Sequence, residues 1–264
     1  MTPELLLWYL TAQYYPRYHR SSVVLSGLLR TSIPAKVMGG GMATLTTRLL
    51  ACGAVAGPFY LVVGLAQAFT RPGFDISRHD LSVLSNGALG WIQIANFVIT
   101  GVLVVAGAAG IRRALRSGPA RRWGPLLIAI YGAGLIGAGF FTADPVAGFP
   151  PGTPASAVEV SWHGLLHLVS AAVGFLALIS ACVLFARRFA WLGERAWAAF
   201  SAAAGAAFLA GFLALVFVQG DTPGTSGGAA ILGFWVALAL VWSWLSALSA
   251  RLMVEAAHAQ VEDR

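Results

Sequence analysis

Apolar residues run along this chain in six long blocks, and the polar residues are gathered in the shorter stretches between them. The blocks cover roughly 49–70, 89–110, 123–142, 163–185, 194–218 and 227–250. A hydrocarbon core of about 30 Å is crossed by about 20 residues of helix, and every block meets that length. None shows the short alternation of a membrane strand. Backbone groups in hydrocarbon must be satisfied within their own segment, so each block predicts a transmembrane helix. The expected fold is all-α, with six transmembrane helices in one bundle over residues 42–252 and a short tail at 253–264.

The intervening loops differ in charge. Arg112, Arg113, Arg116, Arg121 and Arg122 lie between the second and third blocks. Arg187, Arg188 and Arg195 lie between the fourth and fifth, Arg48 precedes the first, and Arg251 follows the sixth. The alternate stretches 71–88, 143–162 and 219–226 carry only Arg71 and Arg78. Basic loops stay in the cytoplasm. The pattern therefore predicts two cytoplasmic termini and places the three arginine-poor loops outside, in a bacterial plasma membrane.

Composition supports this class. Hydrophobic residues make up 58% of the 264 positions, charged residues 10%, and mean hydropathy is +0.76; soluble domains carry about 25% charged residues. The net charge of +7 is the arginine bias of the loops, without the clustered basic face that nucleic-acid binding requires. Lys36 is the only lysine, and arginine with abundant Ala and Gly matches the usage of a GC-rich bacterial genome. Cys52 and Cys182 fall inside apolar blocks with no metal-ligand spacing and no expected disulfide.

Residues 1–41 do not fit the repeating pattern. Their apolar run, Leu5 to Leu10, is too short to span, and basic residues follow it rather than precede it, unlike a signal peptide. The segment is either an amphipathic cytoplasmic stretch or an over-long start ahead of Met42. Glycines recur within the blocks, including Gly132, Gly134, Gly137 and Gly139, and point to close helix packing. Gly53 and Gly57 form a GxxxG, a weak dimer signal. Gln67, Gln93 and Asn96 are expected to bond between helices, and Trp235, Trp242 and Trp244 to pack or anchor.

Candidate chemistry gathers on the arginine-poor side. Four of the five aspartates (Asp75, Asp80, Asp144, Asp221) and three of the five histidines (His79, His163, His167) fall there. His163 and His167 are four residues apart at the mouth of the fourth block, so they share a helix face and have the spacing of a two-imidazole metal site. The Glu that would follow the first His in a zincin motif is replaced by Gly164. Asp80 is placed to cap a short helix entering the second block, and Asp144, at the end of the third, needs a partner.

These motifs, in this order, resemble the bacterial membrane-protein family known as domain of unknown function 998. The resemblance is carried over about 48–250 by Asp80, Ser82 and Gly87, by Asp144, Pro145, Gly148 and Pro150, and by His163, Gly164 and His167. It implies the six-helix fold and no activity. There is a looser likeness to the membrane hydrolases that include alkaline ceramidases and adiponectin receptors, in which Ser, Asp and three His serve a zinc. That likeness implies metal ligands His79, His163 and His167, with Asp144 or Asp80 and Ser82 or Ser77 beside them. Six spans instead of seven, and a mid-chain HxxxH, depart from it.

Two classes of function follow. In the first, the protein is an enzyme. A zinc on the three histidines would activate water for attack on a lipid amide or ester, with Asp144 or Asp80 taking the proton; or Asp144 would protonate a prenyl chain in a cyclase or isomerase. In the second, the same groups form the binding site of a sensor or small transporter for an amphipathic molecule, with membrane lipids as neighbours and no nucleic acid.

Overall fold

The computed structural model describes residues 36–154, 160–219 and 226–262. Asp221 and residues 1–35 lie outside the described residues. The helices are α1 (Lys36–Thr70), α2 (Gly90–Ala114), α3 (Trp123–Phe140), α4 (Trp162–Trp191), α5 (Arg195–Gln219) and α6 (Ser226–Glu262), with a 3-10 helix at Leu81–Ser85. Six helical stretches are long and apolar enough to cross a membrane: Leu45–Thr70, Gly90–Ala114, Trp123–Phe140, Trp162–Trp191, Arg195–Phe217 and Gly228–His258. They lie within one compact unit, Gly40–Arg264. The protein is a multi-pass membrane protein, all-helical among the described residues, as its hydropathy pattern predicts.

Neighbours in sequence are neighbours in space: α2 packs on α3, α3 on α4, α4 on α5 and α5 on α6. Small residues close the bundle. A Cβ added at Gly53 would meet Ser249 Oγ at 2.5 Å and Gly107 Cα at 3.2 Å; one at Gly57 would meet Ser246 Oγ at 2.6 Å. The GxxxG read as a dimer signal is thus spent inside the chain, seating α1 against α2 and α6. The most enclosed span is that of α6 and the least enclosed that of α5. Its Trp242 stacks on Tyr60 at 5.1 Å and meets Tyr131 at 5.4 Å, joining α1, α3 and α6.

The intramembrane amides bond between helices as expected. Gln67 Nε2 donates to Gln93 Oε1 at 2.9 Å, and Asn96 Nδ2 donates to the Tyr60 carbonyl at 3.2 Å. At the arginine end, Arg251 pairs with Glu194 at 2.5 Å and Glu255 at 2.7 Å and lies over the rings of Phe189 and Trp197. Arg188 Nη1 donates to the carbonyls of Ser117 and Pro119, tying α4 to the α2–α3 linker.

Candidate functional site

At the other end, the loop after α1 and the loop after α3 fold over each other. Arg71 continues from α1 and is only 8% exposed. Its Nη1 donates to the Leu84 carbonyl at 2.5 Å, its Nη2 to the Asn86 carbonyl at 2.6 Å, and its guanidinium lies 5.0 Å from the Phe149 ring centre. Burial pulls its pKa below the ordinary arginine value, and it remains a cation at neutral pH. Arg71 therefore clamps the 3-10 helix to the end of α1. Gly87 needs its positive φ of 75° here, and a Cβ on it would press on Arg71 Nη2 at 3.1 Å.

His79 is 1% exposed, in a ring cluster with Phe74 and Phe149. Its Nδ1 accepts from the Asp75 amide at 2.9 Å, so the ring hydrogen is on Nε2, which faces the Ala147 carbonyl at 3.1 Å. Both nitrogens are thus engaged with backbone, and no lone pair is left for a metal. Asp75 also holds Ser77: the hydroxyl first, then the amide, keep its carboxyl below the usual range, with smaller help from His79 and Arg78.

Asp144 caps the next connection. It accepts from the Ser161 amide at 2.9 Å and the Ser161 hydroxyl at 2.5 Å, while Ser161 Oγ accepts from the Gly164 amide at the start of α4. A Cβ at Gly164 would collide with this carboxylate. The acid at the end of α3 has the partner that burial requires, and both oxygens are occupied by it. His163 lies 2.7 Å from Ser161 Oγ and is exposed, its ring against Trp162.

His167, one turn on, turns inward and is 4% exposed. Its Nδ1 is 3.1 Å from the Ala138 carbonyl and 2.7 Å from the Phe141 carbonyl. Both are acceptors, so Nδ1 carries the hydrogen and satisfies orphan carbonyls at the C-terminus of α3. Nε2 is then the ring's free acceptor. Spacing put the two histidines on one face; the carbonyl end of α3 takes one of them and leaves the other outside. Among the described residues, no three His, Cys, Asp or Glu side chains stand close enough to hold a metal ion. The His79, His163 and His167 ligand set is not assembled, and these residues do not fit a zinc.

A different grouping forms instead. A cavity of about 420 Å³ lies inside the bundle, and Asp80, Ser82 and His167 line it. Tyr60 from α1, Tyr131 from α3 and Ser170 from α4 complete its polar groups. Its walls are otherwise apolar, with Phe97, Leu135, Phe175, Phe212 and Phe234. Leu168 on α4 and Val216 on α5, 58% and 50% exposed, also line it and lie on the lipid-facing surface. Asp80 is the N-cap of the 3-10 helix, where Oδ1 accepts from the Ser82 amide at 2.8 Å and from the Ser82 hydroxyl. Its Oδ2 makes no hydrogen bond among the described residues. Tyr131 is 1% exposed, and its hydroxyl has no hydrogen-bond partner among the described residues.

The family described as protein of unknown function, DUF998, matches the chain over residues 54–251. The chain belongs to this family. No curated protein and no solved structure matches it. The DUF998 match spans the loops that clamp the site and four of the six helices in full, with part of α1 and most of α6. As a DUF998 protein the chain has a family and a fold, and the reading of its site rests on its own geometry. Of the residues the sequence marked, Asp80, Ser82 and His167 come together; Asp144, His79 and His163 serve the connections. Tyr60 and Tyr131 were missed. The one sequence signal for them is a phenol inside an apolar span, where its hydroxyl needs a partner.

Proposed function

We propose that this DUF998 protein binds one amphipathic, lipid-like molecule inside its helix bundle. The apolar body lies against Phe97, Phe175, Phe212 and Phe234, and the polar end lies among Asp80, Tyr131 and His167. The observation that carries this reading is the Tyr131 hydroxyl. The hydroxyl is buried with no partner among the described residues, on a side chain that lines a cavity of about 420 Å³. A buried hydroxyl left unpaired costs about 1–3 kcal/mol, and a ligand acceptor removes that cost. Tyrosine donors and the His167 and Asp80 acceptors suit a ligand head with both a hydroxyl and a carbonyl. Ligand sites of this kind are mostly apolar with a few convergent polar groups.

The test is extraction and mass analysis of what co-purifies with the chain. Wild type is expected to retain one defined species above the bulk lipid. Ala171→Trp, which projects an indole from the cavity wall, is expected to lose it. Tyr131→Phe is expected to weaken retention about tenfold while leaving thermal stability unchanged or raised, because the hydroxyl has no partner to lose among the described residues. Retention unaffected by both substitutions would sink the proposal.

The loop charges support an orientation with both termini in the cytoplasm and the Arg71–Phe149 end outside. Arg78 and Ser117 are exposed at opposite ends. In a background lacking Cys52 and Cys182, Arg78→Cys should react with an impermeant thiol reagent on intact cells. Ser117→Cys should react only after lysis. The reverse pattern would put the cavity end in the cytoplasm.

A further inference from the structure

A second cavity lies at the arginine end, away from the site above. It is a groove of about 580 Å³ between α2 and α3. Its floor is apolar, with Val105, Ala109, Leu126 and Ala129, and its rim carries Arg112, Arg121 and Arg122. Three other arginines at this end are committed to structure: Arg113 donates to Thr46, Arg188 to two carbonyls, and Arg251 to Glu194 and Glu255. Arg112 and Arg121 have no side-chain hydrogen bond and no ion pair among the described residues, and Arg122 only lies over the Trp123 ring at 5.3 Å.

Helix electrostatics separates these arginines into two kinds. Arg112, in the last turn of α2, is favoured there by the negative end of the helix dipole. Arg121 and Arg122 stand at the opposite pole. Arg122 is the N-cap residue of α3, with no side-chain cap bond. Cations at a helix N-terminus are disfavoured. The segment from Arg112 to Trp123 contains no acid to offset them. Three unneutralised guanidiniums around a groove that runs into apolar helix faces leave room for one kind of partner: an anion with a hydrocarbon body. Exposed Trp123 at the start of α3 marks the level of the lipid headgroups.

We propose that the groove holds one anionic phospholipid, with its phosphodiester at Arg112, Arg121 and Arg122 and an acyl chain along the floor between α2 and α3. Basic pockets between transmembrane helices bind lipid phosphates in this way. The expected preference over a zwitterionic lipid is about 100-fold, which is about 3 kcal/mol at 1.4 kcal/mol per decade, or about 1 kcal/mol for each arginine.

The experiment is native mass spectrometry of the full chain in micelles containing phosphatidylglycerol and phosphatidylcholine. Wild type should retain one phosphatidylglycerol. The double variant Arg112→Gln, Arg121→Gln should lose at least tenfold in retention, with an unchanged circular dichroism spectrum and melting temperature. Arg116→Gln removes a charge from the same linker outside the groove and should retain the lipid as wild type does. Three results would overturn the proposal: equal retention of the two lipids by wild type; equal loss in Arg116→Gln and the double variant, which is diffuse charge; or displacement of the lipid by excess inorganic phosphate, which makes the headgroup alone the ligand.

Discussion

Gly107→Val is expected to lose about 3 kcal/mol of stability, the upper end of the cost of overpacking. A Cβ at Gly107 would lie 2.6 Å from Gly53 Cα and 2.9 Å from Gly53 N. Both are backbone atoms of α1, so no side chain can swing aside, and α1 and α2 must part. The contact repeats along the seam: a Cβ at Gly110 would lie 2.7 Å from Leu50 N. Small residues in membrane helices allow this approach, and van der Waals contact is what it gains. Gly233→Ala is the control, since nothing lies within 4 Å of a Cβ there. It should be neutral or slightly stabilising, because alanine is favoured over glycine in a helix interior by about 1 kcal/mol. Melting of the purified variants in detergent checks both. Equal melting temperatures for Gly107→Val and wild type would show that the seam is looser than described.

Arg71→Leu is expected to lose about 3 kcal/mol as well. It removes the donors from the carbonyls of Leu84 and Asn86, and leaving a buried acceptor unpaired costs about 1–3 kcal/mol each. It also leaves the Phe149 ring without its cation. Arg71→Lys supplies a point charge but not the planar fork that reaches two carbonyls, and it should recover about half of the loss. The consequence reaches the cavity, because the residues that Arg71 clamps follow directly on Asp80 and Ser82. Arg71→Leu should therefore reduce ligand retention and stability together, while Tyr131→Phe reduces retention alone. If Arg71→Leu melts as wild type does, the guanidinium is not the clamp.

The spans were legible because hydropathy sums over some twenty residues. The helices overran the sequence reading mainly at the arginine end, where the α4 span reaches Trp191 and the α6 span reaches His258. Helix does not stop where hydrocarbon stops, and Arg188 and Arg251 are bonded within those extensions. Glycine spacing announced close packing but not its partner, so Gly53 and Gly57 read as a dimer motif while they face Gly107, Ser249 and Ser246. The histidines show the same limit at the site. The i, i+4 spacing of His163 and His167 is a fact about one helix; which of them is buried depends on the free carbonyls of another, at Ala138 and Phe141. Asp80 was legible as a cap because capping is local. Tyr60 and Tyr131 were invisible because their neighbours in sequence are apolar, and only the fold brings them to Asp80 and His167.

The binding of a discrete amphipath in the cavity is tested most directly by photo-crosslinking from its wall. Phe212 lines the cavity, and Val236 is exposed on the outer surface of α6. A benzophenone amino acid at Phe212, irradiated in native membranes, is predicted to capture a single species of constant mass, and the capture should disappear with Ala171→Trp. The same group at Val236 should capture the mixed bulk lipids. Capture of the same lipid mixture at both positions would contradict a specific ligand in the bundle.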